Sequence, residues 1–234
     1  MTARLALLGA ALALSACASS RPEAAPRDLV VLAHGMGRTS LSMVPLHVSL
    51  HRAGYRVLNV GYSSQGPSVA QIGAQIGHEV EAALDAEAAP QVHYVGHSLG
   101  TVAIRWHLLH EAPEAAGRVV MLAPPNQGSH EADRLARWVG WMLPPIRELR
   151  TTGGTAVSLG PPPGVEVAVI AGDRDGKVRV EETCLEGAAH AVVPSRHTFI
   201  MMRPRVLGMV RTFLATGVLP EADASTCADR LGAG

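Results

Sequence analysis

The sequence predicts an α/β protein: a mostly parallel sheet with helices on both faces. Three observations carry this. Short, continuous apolar runs recur along the chain and alternate with longer runs of helical period. The first of them, Leu29–Ala33, is apolar throughout rather than at every second residue, as a strand covered on both faces requires. One of them, Val92–Val95, passes into a helical run through Gly96-His97-Ser98-Leu99-Gly100, a strand–turn–helix junction with glycines two places either side of a serine.

Taken in order, Leu29–Ala33 is the first strand and Leu41–Arg52 a helix ended by Gly54. Tyr55–Val60 is the second strand. Ser68–Glu87 has the clearest helical period, with Val69, Ile72, Ile76, Val80 and Leu84 on one face and Gln71, Gln75, Glu79 and Glu81 opposite. Val92–Val95 leads to Ser98 and then to a helix over Thr101–His110. Arg118–Ala123 and Val165–Ala171 are further strands, and Ala188–Val193 is strand-like. Pro204 opens a last helix with Val206, Met209, Val210 and Phe213 on one face. Repeated βα units imply right-handed crossovers and a single layered domain.

Between two of these strands lies an insertion, about Asn126–Gly164. Leu135, Trp138, Val139 and Met142 are spaced for an amphipathic helix over Ala132–Leu143. Its stripe, with Trp141 nearby, either packs on the sheet, the reading we prefer, or covers a pocket or meets lipid. Thr151–Gly164, with its Gly and Pro clusters, reads as irregular loop.

The 234 residues include 20 Lys+Arg and 20 Asp+Glu, so no net charge draws the chain to nucleic acid. Aromatic residues make up 3%, leaving Leu, Val, Ala, Ile and Met to build the core. No cysteine–histidine spacing resembles a zinc site, and no metal or cofactor is expected. Cys184 and Cys227 are free to pair in an oxidising compartment or to remain separate thiols; spacing does not decide.

The serine turn suggests nucleophilic chemistry. A serine hydroxyl needs a base in hydrogen-bonding reach, a third group to orient that base, and N–H donors for the oxyanion that forms. His197, in the loop before the last helix, is the base candidate. His190 is its rival but sits in a strand-like run, and His97 beside the serine reads as packing or pocket lining. The acid is expected in the loop after Val167–Ala171, where Asp173 and Asp175 both stand. Oxyanion donors are the backbone N–H of Leu99 and that of Met36, in the loop Ala33-His34-Gly35-Met36-Gly37. Asn126 and Gln127 are open to a pocket role or a turn role.

This set resembles the α/β-hydrolase family over about Leu29 to Leu214. The order Ser98, acid, His197 matches the family's order, and His34-Gly35 matches its oxyanion loop. Within the family the likeness is to small bacterial lipase- and esterase-like hydrolases, which carry APPNQGS after the strand that follows the nucleophile, as in Ala123–Ser129. They also carry DGKV at the acid, as in Asp175–Val178, and SHTF at the histidine. Here that last motif has one change, Ser195-Arg196-His197-Thr198-Phe199. The resemblance implies a minimal hydrolase lacking the first two strands of larger members. It assigns the acid to Asp175, with Asp173 the alternative. It implies a serine carboxylic-ester hydrolase working on a small-molecule or lipid ester. Thioesterase, amidase or lipid acyltransferase chemistry is compatible with the same site, and a non-catalytic binding module is the competing class.

The N-terminal segment is set apart from the fold. Leu5–Leu14 is a ten-residue apolar stretch, too short to span a bilayer. With Leu14-Ser15-Ala16-Cys17 it resembles a bacterial lipobox, which implies a signal peptide over 1–16 and acyl chains on Cys17. Ala18 after the cysteine implies the outer membrane. The expected organisation is then tether over 17–27, hydrolase domain over 28–217 with its insertion at about 126–164, and a polar tail over 218–234.

Overall fold

A computed structural model describes residues 27–223 and Cys227. The expected signal peptide, the expected lipidation site at Cys17 and nearly all of the expected tether lie outside the described residues.

Among the described residues six strands form one sheet, parallel throughout, in the order β2-β1-β3-β4-β5-β6. They are β1 (Leu29–Ala33), β2 (Arg56–Asn59), β3 (Val92–His97), β4 (Ala116–Leu122), β5 (Val167–Gly172) and β6 (Ala189–Val193). Every residue of β1, β3 and β5 is buried, which is why β1 and β5 read as unbroken apolar runs, whereas β3 also buries His93, whose Nδ1 accepts from Arg118 N–H at 2.8 Å. Alternate residues face opposite layers: Leu29, Val31 and Ala33 pack with one core cluster, Val30 and Leu32 with the other.

The first cluster lies under α2 (Val69–Ala86) and α3 (Leu99–His110), the second under α1 (Val44–Arg52) and α7 (Pro204–Thr216). In α2 the face foreseen from periodicity is buried at Val69, Ile72, Ile76 and Val80. Each such side chain contributes about 2 kcal/mol. Ser68 caps this helix: its Oγ accepts from Gln71 N–H at 3.2 Å, while Gln71 Oε1 accepts from Ser68 N–H at 2.9 Å. The helix foreseen over Leu41–Arg52 is divided. Ser40–Met43 forms a 3-10 turn and α1 begins at Val44, because Pro45 has no N–H and fits only a first turn.

The insertion differs most from expectation. Its main helix, α4 (His130–Val139), starts two residues early and stops at Val139, before a turn through Gly140. The short helices α5 (Pro144–Glu148) and α6 (Thr155–Ser158) follow, the second inside the stretch foreseen as irregular. Leu135 and Val139 pack against the core, but Trp138, Trp141 and Met142 are 77%, 79% and 58% exposed. The expected single stripe is therefore split. Trp141 and Met142 lie past the end of the helix, and Trp138 turns outward.

Cys184 and Cys227 are joined in a disulfide, which resolves the choice left open by spacing. His190 lies beside these sulfurs, but a disulfide offers no thiolate to a metal.

Candidate active site

β1 and β3 are neighbours whose crossovers run to opposite sides, and ligand crevices in open α/β sheets form at such a switch, beyond the carboxyl ends of the strands. Ser98 stands there, one residue after β3. Its backbone is in the left-handed region, φ 51°, with its N–H held by Leu122 O at 3.0 Å. The flanking glycines permit the turn. A Cβ on Gly100 would lie 2.4 Å from Ala33 O, and one on Gly96 would lie 2.8 Å from the Thr101 backbone. Helix α3 begins at Leu99, so its first N–H groups have no intrahelical acceptor and point toward the serine edge.

His197 and Asp175 arrive from two other loops. His197 Nε2 lies 3.0 Å from Ser98 Oγ, and His197 Nδ1 lies 2.7 Å from Asp175 Oδ2. The carboxylate fixes the tautomer: Nδ1 donates to Asp175, leaving Nε2 to accept the serine proton. The other Asp175 oxygen accepts from Lys177 N–H at 2.8 Å and Val178 N–H at 3.0 Å. Three donors therefore hold that side chain, which is 1% exposed. Asp173, the alternative acid, does not contact His197. Its Oδ1 accepts from Ser195 N–H at 3.1 Å and so braces the loop that carries the histidine.

The three residues singled out as nucleophile, base and acid thus form one hydrogen-bonded row. The rival His190 is buried in β6 against Thr183 Oγ1 at 2.7 Å, and burial pulls its pKa down to about 4. Met36 lies in the loop after β1 and lines the same cavity as Ser98.

Two contributions were not foreseen. His97, expected as packing or pocket lining, does line the cavity, and beyond that its Nε2 donates to the backbone carbonyl of His197 at 3.0 Å and its ring lies 4.9 Å from the His197 ring. Burial, and secondly the neighbouring His197, hold the His97 pKa well below the usual histidine range, so it braces the loop as a neutral imidazole. The second is Arg105 on α3, which is 1% exposed and, among the described residues, ion-paired to no carboxylate. Its guanidinium donates to the carbonyls of Ala156 (3.1 Å) and Gly160 (3.2 Å), to that of Leu159, and to Asn126 Oδ1 at 3.1 Å. Asn126 in turn donates to Thr183 O at 2.8 Å, and Gln127 Nε2 donates to Cys184 O at 3.1 Å. Both side chains therefore tie the insertion to the chain before β6, and neither lines the cavity.

The cavity above Ser98 measures about 170 Å³. Ala132 and Leu135 of α4, with Ile146 and Leu149, form its apolar wall, while Met36 and Val178 close the side toward the sheet. The insertion covers the site: Ala132 and Leu135 of α4 reach the cavity, while Trp138, at the neighbouring edge of the same stripe, is exposed.

No family model and no curated protein matches the chain. Solved structures do. The mature lipase BlEst2 of Bacillus licheniformis aligns at TM-score 0.65 and 18% identity, over 84% of this chain and 94% of that one. A monoacylglycerol lipase of Paleococcus ferrophilus aligns at TM-score 0.59 and 15% identity, over 81% and 95%. Phospholipase PlaB of Legionella pneumophila, in complex with thio-NAD, aligns at TM-score 0.63 and 16% identity, over 85% of this chain and 60% of that one. At these identities the likeness is one of fold: the chain has the α/β-hydrolase architecture.

Proposed function

We propose that this chain is a serine hydrolase that cleaves carboxylic esters of lipid-like substrates. The observation that carries this is the continuous row Ser98 Oγ, His197 Nε2, His197 Nδ1, Asp175 Oδ2 at the floor of an apolar cavity. In the first half-reaction Ser98 Oγ attacks the ester carbonyl as its proton passes to His197 Nε2. The oxyanion is received by the N–H groups of Met36 and Leu99. Asp175 stabilises the imidazolium, which then gives its proton to the departing alcohol. In the second half-reaction His197 takes a proton from water, the hydroxide attacks the acyl-enzyme, and the carboxylic acid leaves as Ser98 regains its proton.

The anchor belongs to the same proposal. Acyl chains on Cys17 hold the domain at a bacterial envelope membrane, the outer membrane on its periplasmic side. No described helix is long and apolar enough to cross a bilayer. Replacing Cys17 with serine is expected to release the protein from membrane fractions.

The decisive test labels the full-length chain with a fluorophosphonate beside a Ser98→Ala control, followed by p-nitrophenyl esters of increasing chain length. Labelling of the wild type alone, with ester turnover reduced by roughly a thousandfold or more in the variant, is the expected result. A folded wild type that does not label would overturn the hydrolase reading in favour of a binding module.

A further inference from the structure

The mouth of the Ser98 cavity carries two cations, Arg38 and Lys177, and neither forms a salt bridge among the described residues. Their backbones are fixed by contacts that also build the site. Arg38 N–H donates to Gly35 O at 3.2 Å, closing the turn that presents Met36. Lys177 N–H donates to Asp175 Oδ1 at 2.8 Å, and Lys177 O accepts from Ser129 Oγ at 2.7 Å. One cation therefore belongs to the loop after β1 and the other to the loop after β5, and both residues are exposed.

The field of both reaches His97, and each opposes its protonation. The third charged residue lining the cavity is Glu131, which is engaged by Arg134 through two contacts of 2.9 and 2.6 Å and also lies within the field of Lys177. The cavity is thus apolar toward the insertion and positive at its mouth. An acyl chain fits against Leu135, Ile146 and Leu149, which leaves the alcohol side of the ester facing the cations. A neutral alcohol would displace their water without pairing them, whereas an anion is matched on both sides.

Resting on the hydrolase reading, we propose that the preferred ester carries an anionic group, phosphate or carboxylate, on its alcohol portion, received between Arg38 and Lys177.

The test compares three decanoyl esters on the full-length protein: a neutral glycerol ester, a glycerol phosphate ester, and an ester of a hydroxy acid. We expect kcat/KM at least tenfold higher for the charged substrates, chiefly through KM. In the double variant Arg38→Gln, Lys177→Gln that ratio is expected to fall to within about twofold of one. It is also expected to shrink at 0.5 M salt, where exposed charges are screened over about 4 Å. An advantage confined to the phosphate ester assigns the mouth to phosphate, and one shared by both assigns it to anions in general. A wild-type ratio near one, or a ratio unchanged in the double variant, overturns the proposal. Binding to full-length Ser98→Ala separates it from the hydrolase reading. Decyl phosphate should bind at least tenfold more tightly than decanol even if no ester is turned over, and equal affinities count against an anion site.

Discussion

The carboxyl edge of the sheet and the insertion above it are built in different ways. At the edge, backbone hydrogen bonds continue past the ends of the strands: Ser98 N–H to Leu122 O, Ala123 N–H to Ile170 O, Asp173 N–H to Val193 O and Arg174 N–H to Ser195 O. The loops bearing the nucleophile and the acid are thereby fixed to their neighbours by main chain. The insertion is held mainly by side chains. Arg105 grips three of its carbonyls, Asp133 accepts from Thr151 N–H and Oγ1, and Glu148 accepts from Val69 N–H and Thr155 Oγ1. Chemistry therefore rests on a ladder that tolerates change in most side chains, while the cover depends on a few. One substitution can disturb the pocket and leave the reacting groups in place.

The sharpest contrast is between the two aspartates of one loop. Asp175→Asn is expected to lower kcat by about four orders of magnitude with the fold intact, since the amide no longer secures the imidazole tautomer. Asp173→Asn keeps an acceptor for Ser195 N–H and should cost no more than about tenfold. Steady-state kinetics on both variants decides, and equal losses would undo the assignment of roles.

On the cover, Arg105→Met leaves buried carbonyls and Asn126 Oδ1 without their donor. We expect about 3 kcal/mol of lost stability in urea titration, together with a raised KM and a kcat within a few-fold of wild type. A loss below about 1 kcal/mol would mean that the insertion is secured by something other than this guanidinium. Smallest of all, the exposed pair Trp138→Ala and Trp141→Ala should change stability by no more than about 0.5 kcal/mol, because neither indole is covered. A shift several times larger in thermal melts would show that the tryptophans pack on the cover after all.

The sequence was most legible where backbone geometry dictates residue type. Gly96 and Gly100 mark the turn at Ser98 because no side chain fits beside Thr101 and Ala33, and a strand covered on both faces, as β1 is, reads as a continuous apolar run. The row Ser98, His197, Asp175 could be foreseen as an order of loops, although spacing alone did not separate Asp175 from Asp173. The insertion was legible only in part. Periodicity placed Leu135, Trp138, Val139 and Met142 on one stripe, but the helix ends at Val139, and a period does not say which edge of a stripe meets the sheet. Arg105 gave no signal, since its partners are carbonyls some fifty residues away, and any residue supplies a carbonyl. His97 was similarly opaque: its partner is the main chain of His197, and no side-chain pattern marks that contact.

The disulfide has a consequence for how the molecule would come apart. Its 43-residue span runs from Cys184 to Cys227 and encloses β6, the histidine loop and α7, so His197 lies within the covalent ring while Ser98 and Asp175 lie outside it. By chain entropy a closed loop of that length restricts the unfolded ensemble by about 4 kcal/mol. A protease that cuts once anywhere inside the ring produces two fragments that stay attached, with the histidine still linked to the sheet that carries its partners. Such a nicked chain would migrate intact until reduced, and only the loss of the sulfur bridge would let its general base drift away.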